Sequence, residues 1–496
     1  MNGPTREELQ THAVSMFVHD LVVVALNRLL HPPDSRFVND ALHDAVRALR
    51  HAAGVGVELP LQLQFSDDRI HYEGQPLDGP SLQARSLLRC CAEREIAAIS
   101  FAADLGVDEL NRCFDLLLLS HNRDALSRDQ RDVVLRAFGI RNVRILLRSA
   151  ADPSDRRTGV DDTRRALHQY QDLAECLQQN HVLAHRDMEL AVTATADVVE
   201  RTVNQFEEPS LLLSLATQDD VDRFTVGHSV RVALLALQVA RALGANREQL
   251  VHVGAAALMH DIGKSKVPQE VLFKQGRLSA EEWHWMAQHP RLGAQLLLEQ
   301  HQTVDPHAIG AAFCHHMGPT GLGYPQPVLP IVPSGISRLV RVCDVFEALT
   351  SVRPYKRALT PVEAYAVMFR NQQDFDPAWL GRFVRTLGLF PTGTRVRLDC
   401  GSEGVVMAQT DCPERPEVRL LHGPDGADLP AGHPESLAIG VPFEGRVPRI
   451  AGVSTHDRAI DVPEFDPQEP EVLTQTAQHA CLSTQLARDA APRPAK

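Results

Sequence analysis

From Arg6 to Leu30 apolar residues recur at helical spacing, and His31-Pro32-Pro33 ends the run, because proline lacks an amide donor and restricts the residue before it. A second helix is predicted to about Ala52. Leu61, Leu63 and Phe65, then Ile70 and Tyr72, alternate across the polar turn Ser66-Asp67-Asp68 and predict a hairpin. Helical spacing returns over residues 82–148, with a strand at Ile96 to Phe101, so 1–150 reads as an α+β module. Asp152 to Asp162 mixes Pro, Ser, Gly and charge without a period, and a long polar helix follows from Thr163 towards Phe206, so 151–219 reads as a linker and connecting helix. Helical periodicity then dominates 220–388 and predicts an all-α unit with its own core. After Phe390 the short alternating runs Val396 to Leu398, Val405 to Met407 and Val418 to Leu421, punctuated by Pro391, Gly393, Gly401 and Gly404, predict a small β appendage over 389–440. From Val441 to Lys496 the Pro-rich, acidic, aperiodic text predicts a disordered tail. The fold class is therefore mainly α, flanked by an N-terminal α+β module and a C-terminal β appendage.

Composition changes this picture in four ways. A chain of 496 residues is too long for one small core, so several domains are expected. Its net charge of −13 weighs against DNA or anionic membranes as partners, while leaving room for a local basic pocket. No run of eighteen apolar residues occurs and the first ten residues do not read as a signal peptide, which predicts a cytoplasmic protein without membrane insertion. The nine cysteines are scattered without a C-x-x-C pair, so neither a disulfide framework nor a thiolate zinc site is expected.

The 23 histidines are more informative. His-Asp dipeptides stand at His19, His43, His260 and His456, and the dipeptide alone distinguishes none of them. Context singles out the third: the apolar run Ala255-Ala256-Ala257-Leu258-Met259 delivers His260 and Asp261, and Ile262-Gly263-Lys264 follows. Polar groups sent towards a core need partners, and a metal ion supplies them. Further candidates lie along the helical unit at His228, His289, His315, His316 and Asp344, spaced so that several helices can converge. His228 shares a helix face with Val232, Leu235 and Val239, and Asp344 one with Val340 and Ala348. Five His and two Asp form a nitrogen and oxygen donor set suited to two ions such as iron or manganese. The pair His181 and His185, on a polar helix without a third donor, reads as surface.

These residues carry a resemblance. From about Thr225 to Phe375 the chain resembles the HD-GYP domains of the HD phosphohydrolase superfamily, through HSVRV at His228, HDIGK at His260, HPRLGAQLL at His289, HHMGPTGLGYP at His315 and RVCDVFEALTSVRPYKRAL around Asp344. The resemblance implies an HD-type helical fold and a phosphodiesterase that cleaves cyclic di-GMP to linear pGpG, and in some members onward to GMP. It implies two divalent ions, iron or manganese, one held by His228, His260, Asp261 and Asp344 and the other by Asp261, His289, His315 and His316, with Asp261 bridging. Lys264 would assist the leaving oxygen or neutralise phosphoryl charge. Arg353 and Lys356 would contact phosphate, and Gly321, Gly323, Tyr324 and Pro325 form the GYP loop at the substrate. Cyclic di-GMP or a related nucleotide, signalling partners such as GGDEF proteins, and a homodimer are the implied partners. Three departures qualify it: Phe224 stands where some members place a third-metal Glu, and Met317 and Thr320 replace a Glu and an Asp in the pattern before the GYP loop. The departures open two alternatives, a weakly active or inactive cyclic-dinucleotide receptor and a hydrolase of another nucleotide. The N-terminal half shows no receiver or ligand-sensing motif, so the input signal is not legible.

Overall fold

The computed structural model describes residues 6–66, 68–118, 131–148, 162–204, 226–272, 274, 277–300, 303–351, 358–410, 412–424, 436–442, 447–455 and 458–461. Among the described residues two compact units emerge, one up to Glu175 and the other from Cys176 onwards, with the boundary inside the helix Asp162–His185.

In the first unit, helices Arg6–Leu30 and Arg36–Gly54 pack beside a five-stranded antiparallel sheet. Its strands are β1 (Leu61–Ser66), β2 (Arg69–Tyr72), β3 (Gln75–Pro76), β4 (Ile96–Phe101) and β5 (Val143–Leu147), in the order β3-β2-β1-β4-β5. Leu61, Leu63 and Phe65 point one way along β1 and are buried, as alternation requires. Residues 143–147, read as helical from sequence, are instead a strand. Val143 and Ile145 are buried while Arg144 and Leu146 are exposed, and β5 pairs with β4 so that Ile145 faces Ile99. Among the described residues one stretch, Leu9–Arg28, is long and apolar enough to cross a membrane, and 61% of it is buried inside the fold.

The second unit begins with the end of the connecting helix, which does not run unbroken towards Phe206. It stops at His185, and a new helix spans Val192–Asn204. Asp187 takes a positive φ of 55°, which no helix continues through, and the Asn180 side chain accepts a hydrogen bond from the Ala191 amide. Seven further helices carry or frame the site: Val226–Ala242, Arg247–Met259, His289–Leu298, Pro306–Cys314, Gly335–Thr350, Pro361–Arg370 and Pro377–Leu387. Their starts are written locally. Asn246 and Thr360 form capping boxes, and Asp305, Ser334 and Asp376 accept first-turn amides, with proline in the first turn after Asp305, Thr360 and Asp376.

The C-terminal sheet is larger than expected. Six antiparallel strands run β11-β10-β6-β7-β8-β9, where β6 is Arg395–Leu398, β7 Glu403–Ala408, β8 Glu417–His422, β9 Ser436–Ala438, β10 Ile450–Thr455 and β11 Arg458–Asp461. The reading of 441–496 as a disordered tail is thus corrected for its first part. Ile450-Ala451-Gly452-Val453 pairs with β6, and Val453 joins Val396, Val406, Val418 and Leu437 in the sheet's core. The composition around these strands is Pro-rich and acidic, and pairing with an existing edge overrides it. Residues 462–496 lie outside the described residues.

One backbone contact sets the spacing of the second unit. Gly263, in the 3₁₀ turn Ile262–Lys266, lies against helix His289–Leu298 so closely that a Cβ on it would stand 2.0 Å from the His289 carbonyl oxygen and 2.4 Å from the Gly293 nitrogen. Both obstacles are backbone and cannot swing away. Gly263→Ala is therefore expected to destabilise the second unit by about 1–3 kcal/mol, the usual range for overpacking. Urea denaturation followed by circular dichroism checks it, and a variant as stable as the parent would show that the turn and the helix part without cost.

Candidate metal centre

Several helix ends deliver polar side chains into one buried place. His260 is the C-cap of helix Arg247–Met259 and Asp261 precedes the 3₁₀ turn, so both project from an end rather than a flank. His289 opens helix His289–Leu298, His315 closes helix Pro306–Cys314, and Asp344 comes from the middle of helix Gly335–Thr350. His228, His260, Asp261, His289, His315 and Asp344 are all buried, and His316 is half-buried.

Four of the imidazoles are held by their Nδ1 atoms. Nδ1–H of His260 donates to the Ala257 carbonyl at 2.7 Å, that of His289 to Met286 at 2.7 Å, and that of His315 to Ala312 at 2.9 Å. His228 Nδ1 bonds the Glu347 carboxylate. Fixing the proton on Nδ1 leaves the Nε2 lone pair aimed the other way, the second-sphere arrangement that metal-binding histidines use.

Those Nε2 atoms converge on Asp261. Its Oδ2 lies 3.4 Å from His260 Nε2 and 3.7 Å from His228 Nε2, while its Oδ1 lies 3.2 Å from His289 Nε2 and 3.5 Å from His315 Nε2. One carboxylate oxygen thus faces each half of the cluster. Asp344 Oδ1 completes the first half at 3.1 Å from His228 Nε2. In the second, donors of His289, His315 and His316 lie within 4.8 Å of one another, as do those of His228, His260 and Asp261 in the first. Yet His260 Nε2 and Asp261 Oδ1 are buried without a hydrogen-bond partner. A buried acceptor left unpaired is costly, and a divalent cation is the partner that a wholly nitrogen and oxygen donor set fits.

Electrostatics agrees. Burial opposes ionisation of Asp261, but Lys264 and then His260 overcome it and hold the carboxyl well below its usual range. Lys264 Nζ is 2.5 Å from Asp261 Oδ2. Burial pushes His315 down to about 4 and holds His316 well below its ordinary value, so both stand neutral with a lone pair to give. His228 goes the other way. Burial would lower it, but Glu347 and Asp344 raise it to about 10, so carboxylates on both sides of the ring draw a proton where a cation would serve.

Several contributors were missed in the sequence. Glu347 is buried, accepts from Arg231 Nε at 2.6 Å and orients His228. Its signal was available, a second carboxylate one turn after Asp344 on an apolar helix. Arg341 donates to the Asp374 and His315 carbonyls, tying down the end of the His315 helix. His181 is not a surface residue: its Nε2 is shut from solvent without a hydrogen-bond partner, and burial pushes it down to about 4, in the field of Asp261, Lys264 and His260. His185 Nδ1 sits 3.4 Å from the Ser265 carbonyl. The thiols flanking two candidate ligands are buried as well, and burial lifts Cys314 to about 11 and Cys343 well above its ordinary value.

The GYP loop folds back on this cluster. Gly321 and Gly323 take φ of 82° and 124°, and a Cβ on Gly323 would meet the His316 carbonyl at 2.2 Å, so only glycine fits. Met317 pairs with Gly323 in a bridge, the Tyr324–Pro325 peptide is cis, and the Tyr324 ring stacks on His316 at 4.5 Å. Met317 is 1% exposed and Thr320 is exposed, so the two departures occupy different surroundings. Arg353, Lys356 and Phe224 lie outside the described residues.

Comparison with known proteins meets this geometry. Residues 216–379 match the family model described as HD domain. A cyclic di-GMP phosphodiesterase of Pseudomonas aeruginosa is 37% identical over 212 residues, 43% of this chain and 51% of that protein. A cyclic di-GMP phosphodiesterase response regulator of Xanthomonas campestris is 32% identical over 43% of this chain and 56% of its own length. A 3'3'-cGAMP-specific phosphodiesterase of Vibrio cholerae is 34% identical over 34% of this chain and 36% of its own. The chain thus spans about half the length of the first two relatives. Residues 216–379, which hold all seven converging side chains, are similar to the HD domain family, and those two relatives carry the name cyclic di-GMP phosphodiesterase.

Proposed function

We propose that the chain is a metal-dependent phosphodiesterase that opens cyclic di-GMP to linear pGpG and carries some of it on to GMP, in the cytoplasm, with two ions of iron or manganese. The observation that carries this reading is Asp261, whose two oxygens face separate groups of imidazoles while Oδ1 and His260 Nε2 are buried without a hydrogen bond. His228, His260, Asp261 and Asp344 would hold one ion and Asp261, His289, His315 and His316 the other. Ions bound there would supply Lewis acidity and lower the pKa of a water to the neutral range.

The chain's own residues do the rest. Helix ends and Nδ1 hydrogen bonds fix the donors before any ligand arrives, so little reorganisation is needed. As water's oxygen bonds phosphorus, the bond from phosphorus to a ribose oxygen breaks, and that oxygen takes a proton. Lys264, 19% exposed and beside Asp261, is the group positioned to neutralise the phosphoryl charge or give that proton. Tyr324 is kept as a neutral phenol by burial and then by Asp344 and Asp261, and it fixes the ring plane of His316. Arg353 and Lys356 are assigned to the substrate phosphates, because an acidic protein needs a local cationic pocket to hold a dinucleotide. Met317, buried and apolar beside the loop, supports the competing receptor reading.

The deciding experiment incubates the full chain, reconstituted anaerobically with Fe(II) or Mn(II), with cyclic di-GMP and, separately, 3'3'-cGAMP. Linear product from the first is expected. Asp261→Ala should retain less metal than any single histidine variant and lose turnover, and Lys264→Met should keep its metal and slow turnover by roughly 10²-fold. Saturable binding without product across iron, manganese and zinc would move the chain to the receptor class, and cleavage of only the second nucleotide would reassign its substrate.

Cation uptake should also release a proton. The pKa of His228 is raised to about 10, so at pH 7.5 the metal-free ring is charged, and a ligating Nε2 must be neutral. Calorimetry of Mn(II) binding in buffers of different ionisation enthalpy should report about one proton released per ion at this half of the cluster, and affinity should rise with pH. Glu347→Gln weakens the pull on that proton and should reduce the release. Buffer-independent heats would refute the assignment.

A further inference from the structure

A second set of donors lies away from the cluster. His252 projects from helix Arg247–Met259, and Asp305 and His307 stand at the start of helix Pro306–Cys314. His252 Nδ1 is 2.5 Å from Asp305 Oδ2, His307 Nδ1 is 2.8 Å from Asp305 Oδ1, and one donor atom from each residue lies within 4.8 Å of the others. The imidazole centroids are 5.2 Å apart. Glu248, one turn before His252, brings a carboxylate oxygen to 3.8 Å from His252 Nε2.

Two features separate this trio from an ordinary cap. Asp305 divides its work: Oδ1 accepts the His307 amide at 2.9 Å and caps the helix, so Oδ2 is left to face the imidazole from the other helix. Burial opposes its ionisation, but the His307 amide and both imidazoles lower the carboxyl below its usual range, so an anion stands between two rings at neutral pH. The rings are accessible, with side-chain exposures of 35% for His252 and 48% for His307. Two imidazoles and a carboxylate, with an open side towards water, match the donor preference of zinc and its neighbours rather than of magnesium or calcium.

The place in the fold gives the site a consequence. Helix Arg247–Met259 ends at His260 and Asp261, and helix Pro306–Cys314 ends at His315 and His316. Eight residues of helix separate His252 from His260, about 12 Å at 1.5 Å per residue. We infer that His252, Asp305 and His307, with Glu248 beside them, form a separate site for a zinc-class divalent cation that ties the first half of helix Arg247–Met259 to the start of helix Pro306–Cys314, two helices whose other ends carry the catalytic donors. This does not depend on which nucleotide the chain cleaves.

The test uses the full chain, stripped with chelator, reloaded with Mn(II), then dialysed against micromolar Zn(II) with Mn(II) in excess and assayed by elemental analysis. The parent should hold one zinc more than His252→Ala/His307→Ala, with manganese content the same in both. Asp305→Asn keeps a capping oxygen but removes the charge, so it should stay folded by circular dichroism and bind zinc at least tenfold more weakly. Zinc should raise the unfolding temperature of the parent and of neither variant. Equal zinc content in parent and double variant, or unchanged affinity in Asp305→Asn, would overturn the site and leave the trio as a hydrogen-bonded cap.

Discussion

A buried carboxylate with too few partners governs this domain. Asp261 is 1% exposed, ionised, and faces imidazole nitrogens on both sides. Removing such an anion from water costs several kcal/mol unless compensated. Much of the surrounding architecture reads as compensation: Lys264 at one oxygen, imidazoles held at a fixed angle by carbonyls and Glu347, and Arg231 behind Glu347. The compensation remains incomplete at Oδ1, and that incompleteness is what gives the place an affinity for cations. A fully satisfied network of the same residues would be more stable and chemically idle.

Precision here comes from backbone. Carbonyls of a helix's last turn accept from His260, His289 and His315, so ring orientation is inherited from helical geometry and needs little side-chain help. The approach of Gly263 to Gly293 then sets how far the turn that follows Asp261 stands from the helix that begins at His289, which is why HDIGK and HPRLG read as one device split between two segments.

The converging donors were legible because each sits in a short local pattern: an apolar helix ending in polar residues, or a lone acid on an apolar face. Glu347 and His181 were not, for opposite reasons. Glu347 stands one turn after Asp344 on an apolar helix, but its partners His228 and Arg231 lie far away in the chain, and His181 lay on a helix whose overall polarity hid one buried face. Elements failed where tertiary pairing outweighed local text. Val143–Leu147 is too short to distinguish by period alone, and β10 is a strand because a free edge of β6 was there to receive it, β11 pairing in turn with β10. The break after His185 depended on a positive φ at Asp187, which few non-glycine residues announce. Arg353 and Lys356 were read by resemblance, and the described residues do not include them.

The sulfur atoms beside the cluster carry a further meaning. Cys314 precedes His315 and Cys343 precedes Asp344, both deep in the core and both kept as thiols by burial. A thiol is a poor ligand and a poor nucleophile, since thiolate does both jobs. Among the described residues, these two thiols therefore stand protonated, and the donors that converge on Asp261 are nitrogen and oxygen. A cation held in this domain would be held by nitrogen and oxygen donors, with the two flanking sulfurs kept protonated beside them.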